Sequence, residues 1–199
     1  MVPLRASGLP GQGPVLIPRA KIAERVKELG DQIAREYAEI LGPLGQRLQV
    51  GVVLNGAWLF AADLVRELGL RGIGIDTFFL QASSYGGSTE SSGRVEIRFA
   101  LDGGLSDATV LLVEDIVDSG RTAEALFGFF SQRTAGGLPP PKSVRLASLL
   151  SKPSRRVRDV PIHYLGFEIP DVFVVGYGMD YKGRYRHLPE VHGPPEGVG

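Results

Sequence analysis

The stretch ATVLLVE, residues 108–114, is the most apolar run of the chain, and it gives way to a helical pattern near Thr122 to Ser131. It reads as a buried strand that feeds a helix. It has company. LQVGVVL (48–54), GIDTFFLQA (74–82) and SVRLASLLS (143–151) read the same way, and VEIRFAL (95–101) alternates like a strand at a sheet margin. Helical spacing lies between them. From Arg19 to Leu41 the apolar residues Ile22, Val26, Leu29, Ile33, Tyr37 and Ile40 recur every three or four positions, and AWLFAADLVRELG (57–69) forms a second helix. IHYLGF (162–167) and VFVVGY (172–177) are short candidate strands. Strands alternating with helices predict an α/β fold with a mostly parallel sheet. A chain of 199 residues suits one such domain.

Composition narrows the function. Lys and Arg total 22 against 22 Asp and Glu, so the whole chain lacks the basic footprint of a nucleic-acid binder. There is no cysteine, which excludes disulfides, thiolate metal sites and a cysteine nucleophile. No apolar run is long enough to span a membrane, and the first 18 residues lack the apolar core of a signal peptide. The expected location is the cytoplasm.

In parallel sheets ligands bind at the carboxyl ends of strands. Four such ends carry polar chemistry: Leu54-Asn55-Gly56, Ser83-Ser84-Tyr85, Glu114 to Thr122, and Ser151-Lys152. The third is the richest. Glu114 and Asp115 follow an apolar run, and burying an unpaired acid is costly, so they are expected at the sheet's mouth, facing solvent, a metal or hydroxyl groups. Asp118-Ser-Gly-Arg-Thr122 then opens a helix, whose free N–H groups and dipole favour an anion. Gly120 permits close backbone approach, and Ser119 and Thr122 add hydroxyls. A plain capped strand-to-helix turn is the bland alternative. Acids for hydroxyls or Mg²⁺ beside a cradle for one phosphate are the needs of a phosphorylated sugar.

VLLVEDIVDSGRT resembles the signature of type I phosphoribosyltransferases, which bind phosphoribosyl pyrophosphate. SSYGGSTESSGRV resembles the lid of the hypoxanthine-guanine subfamily, GFEIPDVFVVGYGMDYKGRYRHLPEV its C-terminal segment, and IPRAKIAERVKELGDQIAREY its first helix. The likeness spans about residues 15 to 192. It implies a core over about 19–152 and a small hood built from about 1–18 and 153–199.

The resemblance also implies roles. Glu114 and Asp115 hold the ribose hydroxyls, directly or through Mg²⁺, and Asp180 reaches the metal through water. Asp118 is the general base at purine N7. Asp118, Ser119, Gly120, Arg121 and Thr122 bind the 5-phosphate. Leu54, Asn55 and Gly56, with Arg186, meet pyrophosphate. Here Asn55 replaces the usual lysine and Ala57 a small or hydroxyl residue, which leaves backbone N–H groups as the donors; in the family this peptide bond can be cis. Lys152 donates to the 6-oxo group, Phe173 stacks on the base, and Val174 offers backbone groups. Ser84 and Tyr85 act from the lid. Taken singly, Lys152 reads first as a solvated loop lysine and Phe173 as core, and Asp180 and Arg186 read also as plain surface charges. The implied partners are phosphoribosyl pyrophosphate and a 6-oxopurine, and the implied assembly is a homodimer or homotetramer. Two rivals are weaker. A phosphoacceptor signalling domain needs an acidic pair where Asn55-Gly56 stands. A non-catalytic phosphoribosyl pyrophosphate sensor has no need of the purine-facing tail.

Overall fold

A computed structural model describes residues 13–41, 47–84, 95–100, 105–131, 139–195 and 197. The elements run β1 (Val15–Ile17), α1 (Arg19–Leu41), β2 (Leu48–Leu54), α2 (Trp58–Leu70), β3 (Ile75–Ser84), β4 (Val95–Ala100), β5 (Thr109–Val117), α3 (Arg121–Ser131), β6 (Ser143–Ser151), β7 (Tyr164–Glu168) and β8 (Val191–His192). Six strands form one sheet in the order β4-β3-β2-β5-β6-β7. Every neighbouring pair is parallel except β3 with β4, so β4 is an antiparallel margin, as its alternating sequence predicts.

The apolar stripes decide which face each helix covers. Ile22, Val26, Leu29 and Ile33 of α1 and Phe60, Leu64 and Leu68 of α2 pack with Val50, Val52, Leu111 and Val113 on one face. Leu126 and Phe130 of α3 pack with Phe78, Leu80, Val110 and Leu112 on the other. The central strands are therefore covered on both sides, which explains their nearly continuous apolar sequence.

Two sequence expectations need correction. The strand at 108–114 does not stop at the acids. β5 continues to Val117 because β6 pairs with it that far, Val117 opposite Ser151, whereas pairing with β2 ends at Val113. Side-chain alternation slips across the acids: Ile116 packs on the α1–α2 side and Val117 on the α3 side. VFVVGY is not a sheet strand. Gly176, Tyr177 and Gly178 all have positive φ (95°, 47° and 100°), which turns the chain, and only single bridges form there, such as Val175 with His192. β1 pairs antiparallel with β8 in a separate two-stranded sheet. His192 is buried there, its Nδ1 3.0 Å from Gly13 O. No helix among the described residues is long and apolar enough to cross a membrane.

Candidate active site

The carboxyl ends of β2, β5 and β6 open onto a cavity of about 410 Å³. Leu54, Asn55 and Gly56 reach it from β2, Glu114, Asp115, Asp118 and Thr122 from β5 and the start of α3, and Lys152 from the end of β6. Phe173, Val174, Asp180 and Arg186 close it from the C-terminal segment. Three of the four strand ends chosen from sequence thus converge. The fourth contributes Ala82; Ser84 is the last residue of β3, and Tyr85 lies outside the described residues.

The acid pair lines the cavity at the end of β5, and of the surroundings expected for it solvent is excluded for Glu114. Glu114 does not face solvent: it is 6% exposed, and its Oε2 is buried without a hydrogen-bond partner among the described residues. Burial, reinforced by the charge of Asp115, pushes its carboxyl up to about 8, and the Arg156 cation opposes that rise. Burial also pushes Asp115 up to about 6; the N–H groups of Asp115 and Ile116 and the charge of Arg186 hold it down, while Asp180 adds to the rise. The sign follows for stability. A carboxyl that keeps its proton longer in the folded chain than its ordinary value of 4.5 allows costs stability as pH rises through that window to about 8. Glu114→Gln removes the cost. In metal-free, ligand-free protein it should melt higher than the parent at pH 8, by roughly 2–4 °C for each kcal/mol relieved. The gain should shrink toward pH 5. Thermal melts across that range check it, and a gain independent of pH would refute it.

Gly56 explains how Asp115 is seated. A Cβ at position 56 would overlap Asp115 Oδ2 and Cγ and come within 2.9 Å of Oδ1. The carboxylate occupies the space that any other residue's side chain would fill. Gly178 repeats the device from the other side, since a Cβ there would overlap Gly56 O and lie 3.2 Å from its carbon. The Leu54–Asn55 peptide is cis, and Asn55 is exposed.

The turn after β5 is a braced loop. Gly120 has φ +85°, and a Cβ there would lie 2.5 Å from Arg158 O. Val157 and Arg158 N–H groups both donate to Ser119 O at 3.0 Å, and Arg121 N–H donates to Ser119 Oγ at 3.4 Å. Thr122 faces the cavity while Arg121 is exposed. Asp118 accepts from Arg155 Nε at 3.2 Å. That pair is half exposed and so worth little, leaving the carboxylate free to exchange partners.

Lys152 is no solvated loop residue. It is 7% exposed, with Nζ 3.9 Å from Asp171 Oδ1. Phe173 shows the reverse: read alone as core, it is 43% exposed at the cavity, its ring 5.7 Å from that of Tyr181 and nearly perpendicular to it. An exposed aromatic beside a buried lysine is a stacking and hydrogen-bonding platform for a flat polar ring. Asp180 and Arg186 pair at 2.7 Å; Asp180 also accepts from Gly183 N–H at 2.6 Å and Arg186 donates to Gly178 O at 2.7 Å. Sequence reasoning missed Arg155, Arg156 and Asp171, whose partners are remote in the chain. Among the described residues no group of three or more metal-ligating side chains forms a cage. The oxygen donors Glu114, Asp115 and Asp180 still suit a hard cation that keeps several waters and shares its ligand's phosphates, which needs one or two carboxylates.

Residues 25–182 match the phosphoribosyl transferase domain. The chain is 44% identical over 177 residues to the hypoxanthine phosphoribosyltransferase of Salmonella typhimurium, covering 89% of this chain and 92% of that one. It is 42% identical over 181 residues to the hypoxanthine-guanine phosphoribosyltransferase of Bacillus subtilis, covering 89% and 90%. Among solved structures it resembles the hypoxanthine phosphoribosyl transferase of Trypanosoma cruzi, with TM-score 0.84, 31% identity and 94% of each chain covered. The braced turn, the seated acids and the buried lysine therefore belong to an enzyme of the phosphoribosyl transferase family, in its hypoxanthine-guanine subfamily.

Proposed function

We propose that the enzyme transfers the 5-phosphoribosyl group from phosphoribosyl pyrophosphate to hypoxanthine or guanine, giving IMP or GMP and pyrophosphate, a purine-salvage reaction. The observation that carries this reading is the sharing of one cavity by Lys152, Phe173, Asp118 and the Glu114–Asp115 pair. Ser119 to Thr122 hold the 5-phosphate at the start of α3. Glu114 and Asp115 take the ribose hydroxyls. The Leu54–Gly56 backbone and Arg186 receive the pyrophosphate. Phe173 stacks on the purine, Val174 offers it backbone groups, and Lys152 donates to its 6-oxo group. As purine N9 bonds to the anomeric carbon, the carbon–oxygen bond breaks with its electrons going to pyrophosphate, and the N7 proton passes to Asp118. Mg²⁺, held by Glu114, Asp115 and Asp180 directly or through water, would neutralise the leaving group's charge. Ser84 and Tyr85 act from a lid that excludes water. The hood is built from about 1–18 and 153–199, apart from β7, which joins the six-stranded sheet beside β6, and the chain assembles as a homodimer or homotetramer in the cytoplasm.

Incubation with Mg²⁺, phosphoribosyl pyrophosphate and each purine tests the reading. Nucleotide should form from hypoxanthine or guanine and not from adenine, whose 6-amino group offers no acceptor to a cation. Product from neither 6-oxopurine would overturn it. Lys152→Met should raise KM for hypoxanthine roughly 10- to 100-fold, since a hydrogen bond to a charged group is worth about 1.5–3 kcal/mol. KM for phosphoribosyl pyrophosphate should stay near the parent's, and steady-state kinetics with each substrate varied in turn separate the two.

A further inference from the structure

Lys152 and Asp118 are joined by a chain of alternating charges. Lys152 N–H donates to Val117 O at 3.0 Å, one residue before Asp118, and Lys152 O accepts from Arg155 N–H at 3.1 Å. The backbone of Lys152 is thereby fixed, while its four-carbon stem stays flexible. Its Nζ lies 3.9 Å from Asp171 Oδ1, and Asp171 is the one acid paired with it among the described residues. The side chain of Lys152 is 9% exposed, so its ammonium has little water to turn to in place of that acid. The other oxygen of Asp171 lies 3.7 Å from Arg155 Nη1, and Arg155 Nε donates to Asp118 Oδ1 at 3.2 Å. The loop that carries Asp171 is tied down on the same side. Ile169 N–H donates to Ser151 O at 2.9 Å, next to Lys152, and Val172 N–H donates to Pro170 O at 2.8 Å across Asp171. Phe173 follows two residues later. A rotamer-rich side chain loses freedom when it engages a ligand, and a charge partner in the free protein removes part of that freedom in advance.

We propose that Asp171 is a positioning residue for the purine: placed between Lys152 and Arg155, it holds the lysine ammonium in the pose that meets the 6-oxo group before the base arrives. It touches no reacting atom and acts through Lys152. The Asp118–Arg155 bond does not involve Asp171, so the base is outside this line of action. The inference rests on the reading of Lys152 as the donor to the 6-oxo group, and the test separates the two.

Steady-state kinetics with Mg²⁺, hypoxanthine and phosphoribosyl pyrophosphate are measured for the parent, Asp171→Asn, Lys152→Met and the double variant Lys152→Met/Asp171→Asn. Asp171→Asn keeps the shape of the side chain and removes its charge. It should raise KM for hypoxanthine roughly 3- to 10-fold, the scale of one coupled pair of neighbouring residues. Its kcat and its KM for phosphoribosyl pyrophosphate should stay within about twofold of the parent's, a split that a general loosening of the fold would not produce. The double variant should match Lys152→Met in KM for hypoxanthine, because Asp171 has nothing left to position. Losses that multiply in the double variant, an unchanged KM for hypoxanthine in Asp171→Asn, or an equal rise in both KM values would overturn the role of Asp171 while leaving Lys152 in place. A parent-like KM for hypoxanthine in Lys152→Met would instead overturn the reading of Lys152, and the inference with it. Should Asp171→Asn fail to fold, Asp171→Ala takes its place in the same cycle, with the same outcomes deciding.

Discussion

Asp118→Asn lowers turnover roughly 10²- to 10⁴-fold, the range associated with losing a positioned general base, and leaves binding of phosphoribosyl pyrophosphate within a factor of a few. The two side chains have the same shape. Asparagine keeps a carbonyl oxygen for Arg155 Nε, which now donates to Asp118 Oδ1 at 3.2 Å. The backbone of the phosphate turn has its own braces, the two N–H bonds to Ser119 O, and these do not involve the Asp118 side chain. What asparagine cannot do is accept the purine N7 proton. Turnover under saturating substrates, set beside calorimetric binding of phosphoribosyl pyrophosphate, makes the comparison. Equal losses in both would mean that Asp118 is part of the phosphate cradle and not the base.

Gly56→Ala is expected to disrupt the active site through a single added methyl. The added carbon would overlap Asp115 Oδ2 and Cγ, so either the carboxylate or the 54–56 backbone must move. Both line the cavity, on the side proposed to receive the sugar and pyrophosphate. Displacement of about 1 Å at a reacting centre costs on the order of 10²-fold, and kcat/KM for phosphoribosyl pyrophosphate should fall at least that far. Gly128→Ala is the control. It lies in α3, where an added methyl would meet nothing within 4 Å, and alanine favours a helix over glycine by about 1 kcal/mol. That variant should melt no lower than the parent and retain activity. Retained activity in Gly56→Ala would show that the tight seat of Asp115 is not needed.

The strands and helices of the core were legible because each has one local period. Ile22, Val26, Leu29 and Ile33 declare one helix face, and 48–54 and 143–151 coincide with β2 and β6. The site was legible at its strand ends because polar residues there break apolar runs. The end of β5 was not. The apolar run is interrupted by Glu114 and Asp115, but the ladder to β6 is made by backbone groups that do not depend on side-chain type. VFVVGY misled for a related reason. Its β-branched residues have strand propensity, while the left-handed turn at Gly176-Tyr177-Gly178 sets the path. Arg155 with Asp118, and Tyr177 Oη donating to Asp63 at 2.5 Å, join residues 37 and 114 positions apart. No window of sequence contains both partners. Spacing within GYG, two glycines flanking one aromatic, was the available hint of the bend.

The pairing of β1 with β8 has a consequence for the order in which the protein comes into being. During synthesis every strand of the six-stranded sheet, ending with β7 at Glu168, is complete before Val191 and His192 have been added. Until then β1 has no partner, and Val175 and Tyr177 lack the backbone groups of His192 and Leu188 that now hold them. A nascent chain therefore possesses its scaffold before it possesses a closed site. The backbone bonds that seat Val175 and Tyr177 are thus made only after the sheet that supports the site.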